Sequence, residues 1–233
     1  MSNVILQLAL AIVPVVLAIT LHEAAHGYAA LAMGDTSARD AGRLSLNPLR
    51  HIDRVGTVLL PGILLIGQLL TLGRVVFLFG WAKPVPVAAW KFRSPRRGMM
   101  VVAAAGPAMN FFLAWLAALA LHGLGLLPPM AATVAEQFIY YFVLINLVLA
   151  LFNLLPIPPL DGGRIVVGLL PLRLARRWAQ LERVGILLVL FGVFILPQLL
   201  AGLGWHVDPV GAALRDVLPR ATALVLRLAG IGV

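Results

Sequence analysis

The chain contains no cysteine. Disulfides, thiolate zinc knots and cysteine nucleophiles are therefore excluded, and any metal must be held by nitrogen and oxygen. Charge is scarce too. Charged residues make up 12% of the 233 residues, where a soluble domain carries roughly 25%. There are only three glutamates. The amino terminus, MSNVILQ, has no lysine or arginine, so it lacks the positive region of a cleavable signal peptide, and the first apolar segment is expected to remain as a helix. No internal repeat and no low-complexity tract is visible.

What the chain has in excess is apolar character. Hydrophobic residues make up 61% of it, and the mean hydropathy is +1.00. Long runs with few charges recur, and a spanning helix needs about 20 such residues. This balance indicates an integral membrane protein rather than a soluble core. The net charge of +9 raises the question of nucleic acid. The cations, however, fall in short loops between apolar runs and not on one face, as the positive-inside rule predicts. Membrane lipid is the expected surrounding, and no nucleic-acid partner is expected.

The spacing predicts a first helix over roughly 4–33, stopped by Gly34. A polar segment, 34–56, holds Arg39, Arg43, Arg50 and Arg54, and its Asn-Pro and Gly content suggests loop or short strands. Residues 57–82 are apolar but broken by Pro61, several glycines and Arg74, which suits one irregular span or a re-entrant hairpin. Further helices are expected over roughly 99–122, 136–155 and 184–204. From 210 onward, leucines and valines recur at helical spacing with arginines between them, an amphipathic and interfacial pattern. The expected fold is an all-α polytopic membrane protein. It would have about five to six transmembrane segments, with a short strand-containing or re-entrant segment after the first helix. Residues 1–205 would form the core and 206–233 an amphipathic tail.

Arginine placement sets the topology. Loops 34–56, 83–98 and 173–183 carry most of the positive charge, so all three are expected in the cytoplasm. The first helix then enters from outside, 57–82 goes in and back, the next two helices go out and back, and the last span leaves.

One stretch does not suit a lipid span. Residues 20–28 read TLHEAAHGY. His22 and His26, four apart, share one helix face, and Glu23 lies about 60° from His26 at 3.6 residues per turn. In H-E-x-x-H, two imidazoles hold zinc and the glutamate is general base toward the water that zinc activates. A charged residue at helix-centre depth costs about 2.5–3.5 kcal/mol on insertion scales, which weighs against a chance glutamate between two core histidines. A catalytic zinc wants a third protein ligand. His51, His122 and His206 lie in loops or at span ends. Asp161 is the better candidate, because it ends the helix-breaking run NLLPIPPLDGG at 153–163. Asp161 as a cap of the next helix is the alternative. By the charge rule, His22, His26 and Asp161 all fall toward the cytoplasmic side.

These residues resemble the site-2 protease family of intramembrane zinc metalloproteases. The matches are TLHEAAHGYAA, GRLSLNPLRHID, GWAKPVPV, AGPAMN at 105–110 and NLLPIPPLDGG, extending from about residue 20 to 165. The chain is most similar to the compact bacterial branch without PDZ or CBS domains. The resemblance implies one catalytic zinc ion on His22, His26 and Asp161, with Glu23 as base, and places Asn153 near the active site, where its amide could hydrogen-bond the scissile carbonyl or oxyanion or, alternatively, make a structural bond across helices. It implies a transmembrane protein as substrate. It gives Gly106, Pro107 and Asn110 a packing or helix-kinking role. Arg54 departs from the family, where proline usually follows His-Ile-Asp. Competing readings are an ion or metal transporter, since intramembrane His, Glu and Asp also mark ion pathways, and an inactive relative that binds helices without cutting them.

Overall fold

The structure, a computed structural model, describes residues 2–73, 80–205 and 208–232. Ten α-helices are described. They are α1 (Ser2–Ala32), α2 (Ser37–Asp40), α3 (Leu60–Leu72), α4 (Pro95–Ala120), α5 (Pro129–Asn153), α6 (Asp161–Leu169), α7 (Leu172–Gln180), α8 (Gly185–Leu190), α9 (Leu196–Gly202) and α10 (Pro209–Leu228). Five helical stretches among the described residues are long and apolar enough to cross a membrane: Ile12–Ala32, Arg54–Thr71, Pro95–Leu126, Pro129–Asn153 and Gly185–Gly202. The protein is an all-α, multi-pass membrane protein. Leu70 on α3 is 82% exposed and Ile63 and Ile66 about 60%, an apolar surface that suits lipid rather than water.

α1, α4 and α5 form the centre. Small residues let them approach closely: Ala18, Ala24, Ala25 and Ala30 on α1 and Gly98, Ala103, Gly106 and Ala114 on α4 are all buried. Lipid provides no hydrophobic drive between helices, so close backbone contact of this kind replaces it. α10 closes one side. Its Val225, with Ala229 just beyond its end, packs with Ala114 and Ala118 of α4 and Ile139, Val143 and Leu147 of α5.

The strand content expected after the first helix is absent: no strand occurs among the described residues. Instead, 34–59 folds as turns, α2, a 3₁₀ turn at Pro48–His51 and a helical turn at Arg54–Leu59 that runs into α3. Asn47 and Asp53 accept backbone N–H groups at the starts of these last two turns, which favours helix over an extended pairing. Within 57–82, residues 74–79, with Arg74, lie outside the described residues, as does His206. The described flanks of segment 57–82 meet, since the Trp81 N–H donates to the Gly56 carbonyl at 3.1 Å and the Thr57 hydroxyl to the Trp81 carbonyl at 2.8 Å.

Residues 80–88 run extended as a strap. Alternate N–H groups point to fixed partners: Trp81 to Gly56, Lys83 to the His51 carbonyl at 2.9 Å, and Val85 to Glu23 Oε2 at 3.2 Å. Proline at 84 and 86 removes two donors from the opposite edge. The buried Arg43 ties the strap to the preceding turn by donating to the Lys83 and Arg50 carbonyls. Asp35, fully buried just past α1, accepts the Ala88 N–H at 2.6 Å and the Ser37 N–H at 2.9 Å, and pairs with Lys91 at 3.2 Å.

Candidate active site

α1 carries His22 and His26 one turn apart on the face turned to α4. Their rings sit edge to face with centroids 4.6 Å apart. Asp161 arrives from elsewhere. The chain leaves α5 at Asn153, doubles back through 154–160 and starts α6 at Asp161. That fold-back needs glycine, because a Cβ on Gly162 would sit 2.2 Å from the Leu154 carbonyl oxygen and one on Gly163 would sit 2.4 Å from Pro158 N. The capping position of α6 is Leu160, so Asp161 does not serve as its N-cap.

The result is a tight cluster. Asp161 Oδ2 lies 3.1 Å from His22 Nε2 and 3.3 Å from His26 Nε2, and the two Nε2 atoms are 3.1 Å apart. Asp161 and His22 are buried, and His26 nearly so. Each imidazole presents its other nitrogen to α4. His22 Nδ1 meets Asn110 Oδ1 at 2.5 Å and His26 Nδ1 meets the Val102 carbonyl at 2.7 Å. A carbonyl can only accept, so Nδ1 carries the hydrogen in neutral His26, and Nε2 is a lone pair. Asp161 Oδ2 is itself a buried oxygen without a hydrogen bond. In the neutral form of His26, its Nε2 and Asp161 Oδ2 are therefore two acceptors 3.3 Å apart, a pair that a cation could bridge. Tetrahedral zinc at about 2.0–2.1 Å from nitrogen and oxygen places its ligands about 3.3 Å apart, and the cluster has that spacing. These three side chains could hold one divalent ion.

Gly106 supplies the room. It faces both rings, and a Cβ there would lie 2.5 Å from His26 Nε2 and 2.6 Å from His22 Cε1. Val102, Gly106 and Asn110 are four residues apart, one stripe of α4 that faces His22 and His26.

The cluster opens into a cavity of about 460 Å³ walled by the strap (Trp81, Pro84, Val85) and by Asn153, Leu160 and Arg164. Glu23 lines the same cavity, half-buried, with Oε2 held by the Val85 N–H. Asn153 also lines it, and donates one amide hydrogen to the Leu149 carbonyl at 3.0 Å, which leaves it a second donor. His51 and His122 lie elsewhere, bound to the Ser45 carbonyl at 2.8 Å and the Ala229 carbonyl at 2.7 Å. A larger, apolar cavity of about 680 Å³ between Leu10 and Phe138 has no titratable lining residue.

The resemblance gives Asn110 a packing or helix-kinking role, and the sequence does not single out Asn146. The signal was there: an asparagine amid VLINLVLALF, a polar group inside a span, marks a site by default.

The family model for peptidase family M50 matches residues 125–196, from the start of α5 to the last span. The Bacillus subtilis (strain 168) protein named "Putative zinc metalloprotease YwhC" is 39% identical over 203 residues, covering 82% of this chain and 86% of that one. Two Streptococcus pneumoniae proteins with the same kind of name, from strains R6 and TIGR4, are each 34% identical over 71 residues, 30% of this chain and 16% of theirs. No solved structure matches. The relationship to the Bacillus protein runs along most of both chains, and the buried His22, His26 and Asp161 offer the three nitrogen and oxygen ligands that a catalytic zinc can use. A transporter reading is not favoured by either finding. The chain therefore belongs to peptidase family M50, the site-2 proteases, and is an intramembrane zinc metalloprotease.

Proposed function

We propose that the protein hydrolyses a peptide bond within a transmembrane segment of a protein substrate, using one zinc ion held by His22, His26 and Asp161. The observation that carries this reading is the convergence of His22 Nε2, His26 Nε2 and Asp161 Oδ2 within 3.3 Å. When bound, zinc supplies Lewis acidity to the scissile carbonyl and makes water acidic enough to attack near neutral pH. Glu23 takes the proton from the attacking water and returns it to the leaving nitrogen. The Val85 N–H holds one carboxylate oxygen of Glu23 and so fixes the direction in which the base acts. Asn153 uses its second amide hydrogen to stabilise charge that develops on the carbonyl oxygen. The substrate must unwind locally, because a helix shields the carbonyl that is attacked.

A second cavity of about 490 Å³, walled by Val16, Ile19, Leu49 and Ile52, shares Trp81 and Ala82 with the first. It offers an apolar path beside α1 for an unwound segment. The arginines near the site support a cytoplasmic position for it: Arg39, Arg43, Arg50 and Arg54 follow α1, and Arg93, Arg96 and Arg97 precede and open α4.

The test is Glu23→Gln in detergent with a defined membrane substrate. Zinc content should stay at the wild-type level while cleavage stops. Wild-type turnover by that variant would remove Glu23 from the role. Asn153→Ala should keep zinc and lower kcat by about 10²–10³; an unchanged kcat would leave it a structural residue.

A further inference from the structure

Among the described residues, Asn110 and Asn146 are the two largest polar side chains buried completely, and nothing in the proposed hydrolytic chemistry uses them directly. They form a chain. Asn146 Nδ2 donates to the Phe142 carbonyl of its own helix at 2.8 Å. Asn110 Nδ2 donates to Asn146 Oδ1 at 2.8 Å and to the Ala18 carbonyl at 3.3 Å. Asn110 Oδ1 then faces His22 Nδ1 at 2.5 Å.

The direction of this chain is forced. The Phe142 and Ala18 carbonyls have no proton to give. Asn146 must turn its NH₂ to Phe142, so its oxygen faces Asn110. Asn110 must then turn its NH₂ to Asn146 and Ala18, so its oxygen faces His22. Reversing either amide would set two acceptors against each other at hydrogen-bond distance in a buried site, at a cost of about 1–3 kcal/mol for each unsatisfied group. His22 is left with one arrangement: hydrogen on Nδ1, lone pair on Nε2, aimed at His26 and Asp161. His26 needs no such relay, because the Val102 carbonyl meets its Nδ1 directly.

We infer that Asn110 is a positioning residue that fixes the tautomer and ring orientation of His22, and that Asn146 acts on the metal site only through Asn110. This rests on the reading of His22 as a zinc ligand. It assigns the asparagine of the AGPAMN run a task beyond packing. With Gly106 giving space and Val102 holding the other ring, one face of α4 becomes the support on which both imidazoles are set. Partners that orient metal-bound histidines typically change metal affinity about 10–100-fold when removed.

The experiment combines zinc affinity with histidine ¹⁵N NMR on the full chain in detergent. In the metal-free protein at mildly alkaline pH, His22 should show hydrogen on Nδ1, and Asn110→Leu should give a mixture of tautomers. Asn110→Leu should weaken zinc by about 10–100-fold with helical content unchanged. Asn146→Leu should weaken zinc in the wild-type background but have no further effect with Asn110→Leu, a non-additivity that a double-mutant cycle reads directly. Zinc affinity within twofold of wild type for Asn110→Leu, equal effects of Asn146→Leu in both backgrounds, or a metal-free His22 with hydrogen on Nε2 would each overturn the inference. If Asn110→Leu does not fold, the Asn146→Leu affinity and the wild-type spectrum still decide. Absence of zinc from the wild type would sink the metal reading instead, and the NMR result would stand separately.

Discussion

The backbone N–H of Val85 donates to Glu23 Oε2 at 3.2 Å, across 62 residues of sequence. The strap therefore touches Glu23, the proposed base, and does not merely wall the cavity. A hydrogen bond to a charged group contributes about 1.5–3 kcal/mol. Val85→Pro deletes the donor inside a run that already has proline at 84 and 86. Zinc content should match wild type while kcat falls at least about tenfold, the low end of that energy range. Metal analysis beside single-turnover cleavage checks this; an unchanged kcat would mean that the contact does not orient the base.

The strap depends in turn on Asp35. Burial pushes its carboxyl up, but the Ser37 hydroxyl, the Ala88 and Ser37 N–H groups and Lys91 outweigh that and hold it at about 2. A carboxyl lowered on folding stabilises the protein above its unfolded value of about 3.9 and loses that contribution as pH falls toward the folded value. Thermal unfolding in detergent should show a midpoint that drops between about pH 4 and pH 2. Asp35→Asn should unfold at lower temperature at neutral pH and lose most of that acid dependence. An equally steep acid limb in the variant would assign the effect to other carboxylates.

Gly106→Ala separates helix stability from site geometry. Alanine is favoured over glycine inside a helix by about 1 kcal/mol, so α4 should not suffer. The added methyl would meet His26 Nε2 at 2.5 Å and His22 Cε1 at 2.6 Å, and so push on both imidazoles. Helical content by circular dichroism should be unchanged while zinc affinity falls at least tenfold, about 1.4 kcal/mol. Undiminished zinc affinity would show that the rings have slack.

Much of the candidate site is legible in the chain because local spacing encodes it. His22, Glu23 and His26 lie on one helix, where 3.6 residues per turn fixes their relation. Asp161 was marked by prolines and paired glycines that only a sharp fold-back explains. The strap was not legible. Its bonds from Lys83 to His51 and from Val85 to Glu23 join segments through backbone N–H groups, which every residue but proline has and no sequence pattern marks. The expected strand failed for a related reason. Segment 34–56 has turn residues compatible with a hairpin, yet Asn47 and Asp53 use their side chains to start helical turns. Asn110 could be seen as a motif residue, but its partner His22 is 88 positions away, and the contact follows only from how α1 packs on α4.

The ligand set itself is the most direct point of attack. X-ray absorption at the zinc edge of the purified Glu23→Gln protein should show two imidazole nitrogens and one carboxylate oxygen at about 2.0–2.2 Å, and Asp161→Ala should lose the oxygen and most of the metal. A zinc shell with other ligands, or full zinc retention in Asp161→Ala, would contradict a metal gripped jointly by α1 and the start of α6.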